Sequence, residues 1–392
     1  QCQQGYNSSR MSRLIPWIKR IIAIVLIVLL WQAPSFSTSG SVTADEQQEA
    51  FYRGSVEAVE QVLPQESSTI QLVSVKISEG PLKGQVIYAQ NIYESSMYGS
   101  FLVSPGDKIF VYVIMDNGKV TDAYIQDLDR LSGTISTVLI FSLIVLLIAH
   151  LKGLDALLGL FLTGLFMWKM SIPMIAHGEN PLVVGILTVI VGTVATITLV
   201  MDSLDKIMLS SAGTVLGVVS AYVFGLVAAK MTSIHGITSE IFSFFQFSAL
   251  KNVNALTLFF SAIMIAALGA VMDVAVSIVS AAREIKLQNP DIKFLALFSS
   301  LTRIGRDMIG TMVNTLIFAY AGSELGLLVY LYSSGENTAF KYITGEFFVG
   351  DVVRALSASA GLILTIPLTA LMASLFYAKH KGVGREKFKH VD

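Results

Sequence analysis

Two kinds of hydrophobic pattern divide the chain. Between about residue 40 and residue 131, apolar and polar positions alternate with a period of two in Ser55–Glu60, Thr69–Ile77, Gly84–Tyr88, Lys108–Val113 and Lys119–Ile125, the mark of strands that bury one face. Turn signals separate these runs at Glu79–Gly84, Ser104–Asp107 and Asp116–Gly118. The pattern predicts an all-β domain of about five short strands. So few strands leave exposed edges unless the sheet closes, and a small barrel of the OB type is the economical solution. No aromatic platform accompanies a basic groove in this segment, so a compact adaptor is expected ahead of a binding module.

On either side of this domain the apolar residues run on without alternation. Arg13, Lys19 and Arg20 precede the apolar run Ile21–Trp31, which is the plan of a signal anchor or a signal peptide over residues 11–33. No small-residue cleavage site follows directly, Val42–Ala44 being the nearest, and this favours an uncleaved anchor. The polar leader Gln1–Arg10, ahead of Met11, reads as an over-extended reading frame and not as structure. From Thr134 onward, runs long enough to cross a bilayer recur at 134–150, 154–172, 181–200, 211–229, 256–278, 308–332 and 355–378. With the anchor they predict about eight spans: an α-helical polytopic membrane protein with a bundle over 132–378 and a basic tail over 379–392.

Composition agrees with this class. The 392 residues are 53% hydrophobic and 14% charged, and the mean hydropathy of +0.66 lies outside the range of soluble domains. A net charge of -1 argues against nucleic acid as a partner, because phosphate binding needs a concentrated basic face. Cys2 is the only cysteine, so no disulfide or cysteine metal site forms within one chain. The basic residues sort onto one side of the predicted membrane: Arg10, Arg13, Lys19, Arg20, Lys152, Lys206, Arg283, Lys286, Lys293, Arg303, Arg306 and the tail from Lys379 to Lys389. Lys169, Lys230, Lys251, Lys341 and Arg354 fall on the other side or at its edge. This bias places both termini in the cytoplasm, if the anchor is uncleaved, and residues 40–131 outside the cell membrane. The spans at 154–229 and 256–378 form triplets of opposite orientation, the form an inverted repeat takes, although the two share no residue-level similarity.

Within the apolar runs, polar side chains are expensive and so mark candidate chemistry. Asp273, Ser277, Ser280 and Glu284 fall on one helical face, with Val274, Val276, Ile278 and Val279 covering the rest. The next span repeats the device with Asp307, Gly310, Thr311 and Asn314. Packed against each other, the two stripes could present carboxylate, hydroxyl and amide oxygens to one cavity. Such ligands suit a proton, Na⁺ or a hard divalent cation, and they suit soft metals poorly. Asp273 would carry the charge or the proton, Asp307 would be the second carboxylate and Asn314 a neutral ligand. A structural reading of Asp307 has equal standing, in which it caps a helix N-terminus and pairs with Arg303 or Arg306.

Other polar groups have plainer readings. Arg283, Glu284, Lys286 and Asp291 form a mixed-charge connector ended by Asn289–Pro290, expected to be a solvated loop. Asp202 and Asp205 bracket a turn as cap residues, and Gly213, Gly217 and Gly225 mark a close helix contact, as Gly269, Gly310 and Gly322 could. Toward the outer face, Glu346 or Asp351 with Arg354 reads as an interfacial ion pair of small energetic effect, and Glu324 lies in the outer half of its span. A metal site from His177 with Glu179 and His235 with Glu240 would need two loops to meet. No nucleophile elbow, His-Glu-x-x-His helix or phosphate loop is present, so neither an enzyme nor a cofactor is expected.

Gly269–Asp273 with Ser277, Ser280, Glu284 and Asn289–Pro290, followed by Ile304–Leu316, resembles the YibE/F family of bacterial multi-pass membrane proteins. The resemblance extends over about residues 50–378, and the segment Gly345–Arg354 with Gly361 and Ile366–Thr369 is similar to that family's last span. It implies an extracytoplasmic β domain ahead of a helical bundle, and it points to Asp273, Glu284, Arg306, Asp307, Thr311 and Asn314 as motif positions. It implies an architecture more than an activity. Two functions stand: an ion-coupled permease for a small ion or solute with its site on the stripes, or a non-transporting module whose β domain senses or recruits a partner. Beyond the lipid bilayer, a homo-oligomeric partner stays open.

Overall fold

The computed structural model describes residues 2–32, 47–65, 68–94, 100–116, 119–236 and 253–379; the side chains of residues 2–15, 47–49 and 336–338 lie outside the description. The chain forms two compact units, Ser39–Ile148 and Gln1–Thr38 with Ala149–Asp392.

In the first unit, β1 (Gln47–Pro64), β2 (Ser68–Ile77), β3 (Val86–Glu94), β4 (Lys108–Asp116) and β5 (Lys119–Leu128) close a barrel in the order β1-β2-β3-β5-β4. Closure satisfies the edges, as the small strand number required. β1 is much longer than its alternating stretch, because it serves two neighbours: residues 47–55 pair with β4 and residues 54–64 with β2. Gly54 belongs to both ladders, opposite Ile77 and Ile109. A Cβ there would sit 2.6 Å from Val75 Cγ1, so the strand can turn from one neighbour to the other only at a glycine. Register shifts just beyond, at Val56/Ala58 and Val59/Gln61, add the bend. Inward positions Val73, Val75, Ile109, Val111 and Val113 are fully buried and fill the lumen.

Two buried amides hold the loop before β4. Gln71 donates to the Val103 carbonyl at 3.1 Å and accepts from the Val103 N–H at 2.9 Å, while Asn91 donates to Gln71 Oε1 and to the Phe101 carbonyl, both at 2.8 Å. The turn at Asp116–Gly118 lies partly outside the described residues.

The second unit is helical. α1 (Cys2–Gln32) extends through the leader that was expected to lack structure. α2 (Leu131–Phe166) begins in the first unit and is broken at His150, with φ 51° and ψ −131°. A π-helical turn (Met167–Ser171) and α3 (Ile172–Ala176) continue it. The runs 134–150 and 154–172, expected as separate spans, meet at that non-helical residue. Then follow α4 (Pro181–Val200), α5 (Leu204–Thr232), α6 (Ala255–Gln288), α7 (Phe294–Ser323), α8 (Leu325–Ser333), α9 (Glu336–Ile343) and α10 (Glu346–Lys379). Asn180 and Asn254 cap α4 and α6 by accepting from Leu182 N and Thr257 N.

Among the described residues, five helical segments are long and apolar enough to cross a membrane, and α7 with α8 makes a sixth candidate bent by 61°. α6 is central: it packs on α4, α5, α10 and α7. Around it α4 packs on α5, α5 on α10 and α10 on α7, whereas α4 and α7 have no extensive packing on each other. Among the described residues of this unit, the ring around α6 is therefore open on one side. Its tightest seam joins α5 and α10, where Gly213 faces Thr369, Gly217 faces Thr365, and a Cβ on Gly361 would lie 2.6 Å from Ala221 Cβ. This is close approach through small residues, as Gly213, Gly217 and Gly225 suggested.

Candidate functional site

The opening in the ring exposes a narrow stripe of α6. Gly269, Asp273, Ser277, Glu284 and Gln288 are exposed and Ser280 is half-buried, whereas Val271, Val274, Ile278, Val279 and Ala282 are fully buried. Hydrophobic residues on three sides of α6 seat it in the bundle, and the polar face is what remains. On α7 the buried row Leu297, Leu301 and Gly305 rests on the core, with Gly305 against Ile366 of α10. The opposite face leaves Arg303, Arg306, Asp307, Gly310, Thr311 and Asn314 exposed. α6 and α7 are joined by the short connector after Gln288. At ~1.5 Å per residue, Asp273 and Asp307 stand about 22 Å and about 20 Å from it along their helices, at nearly the same depth.

The expectation of one shared cavity is not met within a single chain. Both stripes lie on the surface, and Asp273, Asp307, Ser277 and Asn314 have no hydrogen bond or ion pair among the described residues. Glu284 accepts from Gln288 at 3.2 Å, and Thr311 donates back to the Met308 carbonyl. No group of three or more His, Cys, Asp or Glu side chains able to hold a metal occurs among the described residues. A groove of about 540 Å³ lies elsewhere, between α1, α2 and α4, lined by apolar side chains around Lys19.

Asp307 is not a cap. It lies well inside α7, whose N-cap is Lys293, and it forms no pair with Arg303 or Arg306. Gly269, Gly310 and Gly322 make no close contact either, since a Cβ on each would meet open space.

The connector residues are more structural than expected. Arg283 reaches Ser203, Asp205 at 3.7 Å and Asp202 at 3.9 Å, and Tyr377, fully buried, donates to Asp205 at 2.7 Å. Asp202 also pairs with Lys206 at 3.0 Å. These contacts tie the α4–α5 turn to α6 and α10. The cap of α5 is Ser203, so Asp202 and Asp205 act as ion-pair partners instead. Partial burial pushes the Asp202 carboxyl up, but the Lys206 ammonium and Arg283 outweigh it and hold the group below the usual carboxylate range. Lys286 is buried and donates to the Pro290 carbonyl at 2.6 Å.

At the opposite end of the bundle, Arg354 pairs with Asp351 at 3.3 Å and lies over the Phe259 ring. Glu346 has a different role from the expected one: it accepts from the N–H groups of His235 at 2.6 Å and Gly236 at 2.9 Å, fastening α10 to the end of α5. Glu240, the expected neighbour of His235, lies outside the described residues. His177 turns to the Pro173 carbonyl at 2.7 Å.

A buried pair escaped sequence reasoning. Arg20 of α1 and Asp155 of α2 face each other, 6% and 9% exposed, with Nε to Oδ1 at 2.6 Å. The available signal was one arginine and one acid, each at the edge of an apolar run, since such groups seek one another near a membrane.

Apolar helices of this length around a core of small and aliphatic residues, preceded by a closed five-stranded barrel, define a membrane protein with an N-terminal β domain. The YibE/F-like protein family matches residues 137–379, and the YibE/F family N-terminal domain matches residues 53–128. The chain belongs to the YibE/F family. No curated protein and no solved structure matches it.

Proposed function

We propose that the chain is an ion-coupled membrane transporter or permease whose cation or proton path runs along the polar faces of α6 and α7. The observation that carries this reading is Asp273, a carboxylate without a partner among the described residues, past the midpoint of an apolar helix and exposed where the ring around α6 is open. A carboxylate at membrane depth is costly and is retained for proton or ion work. Ser277, Ser280 and Glu284 extend the same face, and Asp307, Thr311 and Asn314 provide oxygen groups at matching depth. The set favours a proton, Na⁺ or a hard divalent cation.

Eight crossings fit this reading. The segment Leu131–Ala176 would extend about 69 Å at ~1.5 Å per residue, more than twice the ~30 Å hydrocarbon core, and His150 breaks it. α1 is kept as an anchor by Arg20, and the basic bias then sets both termini in the cytoplasm with residues 40–131 outside. Tyr330, Tyr332, Phe340 and Tyr342, all exposed around α8 and α9, suit the outer headgroup level.

The test is the thermal stability of the detergent-purified protein over pH and over Na⁺, K⁺, Mg²⁺, Ca²⁺ and Mn²⁺ at constant ionic strength, with Asp273→Asn and Asp307→Asn beside the wild type. An ion bound only by the folded protein raises stability by mass action. Saturable stabilisation by one ion, or by protonation, in the wild type and in neither variant supports the site. Identical responses in all three proteins remove it.

A second reading is favoured by one feature of the barrel. Val86, Tyr88 and Ile92 lie along the outer side of β3, 48%, 70% and 54% exposed. An apolar row of this kind suits a protein partner, and a sensing or recruiting module would lose its function if Tyr88→Ser and Ile92→Ser removed it, whereas ion flux through the bundle would persist.

A further inference from the structure

The groove of about 540 Å³ beside Lys19 is apolar along its length, lined by Ile22, Leu26 and Leu30 of α1, Leu162 and Phe166 of α2, and Ala195 of α4. A second groove, of about 430 Å³, lies between α4 and α5 and is apolar apart from the hydroxyls of Thr193 and Ser211. Ile190 and Val194, both exposed, line the two grooves alike. They form a ridge on α4 with one groove on each side. Lys19 to Leu30 is eleven residues, about 16 Å at ~1.5 Å per residue, close to one leaflet of a bilayer whose hydrocarbon core is ~30 Å thick.

Cationic groups gather at one end of the first groove. Arg20 is neutralised by Asp155. Lys19 donates to the carbonyls of Thr198 and Met201, which leaves its third ammonium proton and a charge that the negative end of α4 compensates only in part. Lys152 is exposed and stands one turn before Asp155 in the row Lys152, Asp155, Gly159, Leu162 and Phe166, whose last two members line the groove. Neither lysine has a carboxylate partner among the described residues. Trp17, exposed and two residues ahead of Lys19, is the kind of side chain that sits at headgroup level.

We propose that this face holds one anionic diacyl phospholipid, its phosphate on Lys19 and Lys152 and its two acyl chains in the two grooves astride Ile190 and Val194. A ridge between two apolar furrows matches two chains that leave one glycerol. A partner helix, ~10–12 Å across with its side chains, would bear on the ridge and leave both furrows empty. The two lysines select a negative headgroup, since basic residues at the membrane surface attract anionic lipid, and the furrow beside Lys19 has the depth of one leaflet. The lipid would touch α1, α2 and α4 together, so that the attachment of α1 to the bundle becomes sensitive to the charge of the membrane. The inference goes beyond the ion path and needs only that these helices lie in a bilayer.

The experiment follows the melting of the delipidated full chain in detergent, titrated at constant ionic strength with phosphatidylglycerol or phosphatidylcholine of identical acyl chains. Wild type is expected to be stabilised in a saturable way, at several-fold lower concentration by phosphatidylglycerol, and more weakly by single-chain lysophosphatidylglycerol. Lys152→Gln, an exposed position, is expected to lower the preference several-fold, and Lys19→Gln added to it to abolish the preference. Ala195→Phe, which fills the first groove, is expected to weaken both diacyl lipids. Lys341→Gln, at an exposed lysine of α9, is expected to change nothing. Equal response to the two diacyl lipids, an equal loss in Lys341→Gln, or wild-type behaviour of Ala195→Phe overturns the proposal and leaves ordinary annular lipid. Native mass spectrometry of the wild type gives a check free of any variant. It is expected to retain one phospholipid per chain, enriched in anionic headgroups over the source membrane; no retained lipid, or retention in membrane proportions, overturns it. A protein that prefers phosphatidylglycerol and ignores every ion would keep the lipid site and lose the ion site; one stabilised by an ion alone would do the reverse.

Discussion

Asp155 grips Arg20 with both carboxylate oxygens, Oδ1 at 2.6 Å from Nε and Oδ2 at 2.9 Å from Nη2, and so binds α1 to the bundle across a long stretch of sequence. Arg20 also donates to the Leu151 carbonyl at 3.4 Å and stacks over the Trp17 ring at 5.1 Å. Its neighbour Lys19 donates to the carbonyls of Thr198 and Met201 at the end of α4, each at 2.9 Å. Removing α1 would leave Asp155 without its ion-pair partner.

Arg20→Ala or Asp155→Ala is therefore expected to lower stability by about 3–5 kcal/mol, the cost of stranding one half of a buried pair. The double substitution Arg20→Leu with Asp155→Leu should cost clearly less than the sum, because neither charge remains. Unfolding midpoints of the four proteins in one detergent check this, and additive losses would refute the pairing. The same contacts predict that the mass of the mature protein includes α1.

The α5–α10 seam should be intolerant of bulk. Gly361 lies 2.9 Å from the Gly217 carbonyl, measured from where its Cβ would be, and a backbone oxygen cannot swing aside. Gly361→Val is expected to cost about 1–3 kcal/mol or more through overpacking. Gly310→Val, with open space above the residue in the single chain, should leave the melting of the isolated chain near wild type.

Asp202 supplies a pH-dependent increment. Its folded pKa is depressed by Lys206 and Arg283, so its stabilisation is present above the unfolded carboxylate pKa of about 3.9 and is lost as pH falls through the lower folded value. The side chain is 76% exposed, and solvent screening keeps the increment below about 1 kcal/mol. Asp202→Asn should thus be slightly less stable than wild type at pH 6, with the gap closing below about pH 4. Melting curves from pH 3 to pH 7 read the difference; a gap that widens on acidification contradicts the assignment.

Much of the architecture was legible because period and length are local properties. Alternation located β2, β4 and β5 near their observed bounds, and uninterrupted apolar runs marked the membrane-compatible helices. The double role of β1 was hidden, since pairing with two neighbours depends on where Gly54 lets the strand turn. The α6 and α7 stripes were legible for the same local reason, but their surroundings were not. Helical spacing says which residues share a face and nothing about what that face meets.

The sequence by itself determined the membrane class, the β domain, the family motifs and the polar faces of α6 and α7, because each follows from residue type and spacing along the chain. Only the tertiary structure decided that Asp273 looks out through an open ring, that Arg20 and Asp155 meet, and that Arg283 joins Asp202, Asp205 and Tyr377. Those are encounters between segments far apart in sequence. Their energies depend on which helices become neighbours, which spacing along one helix does not encode.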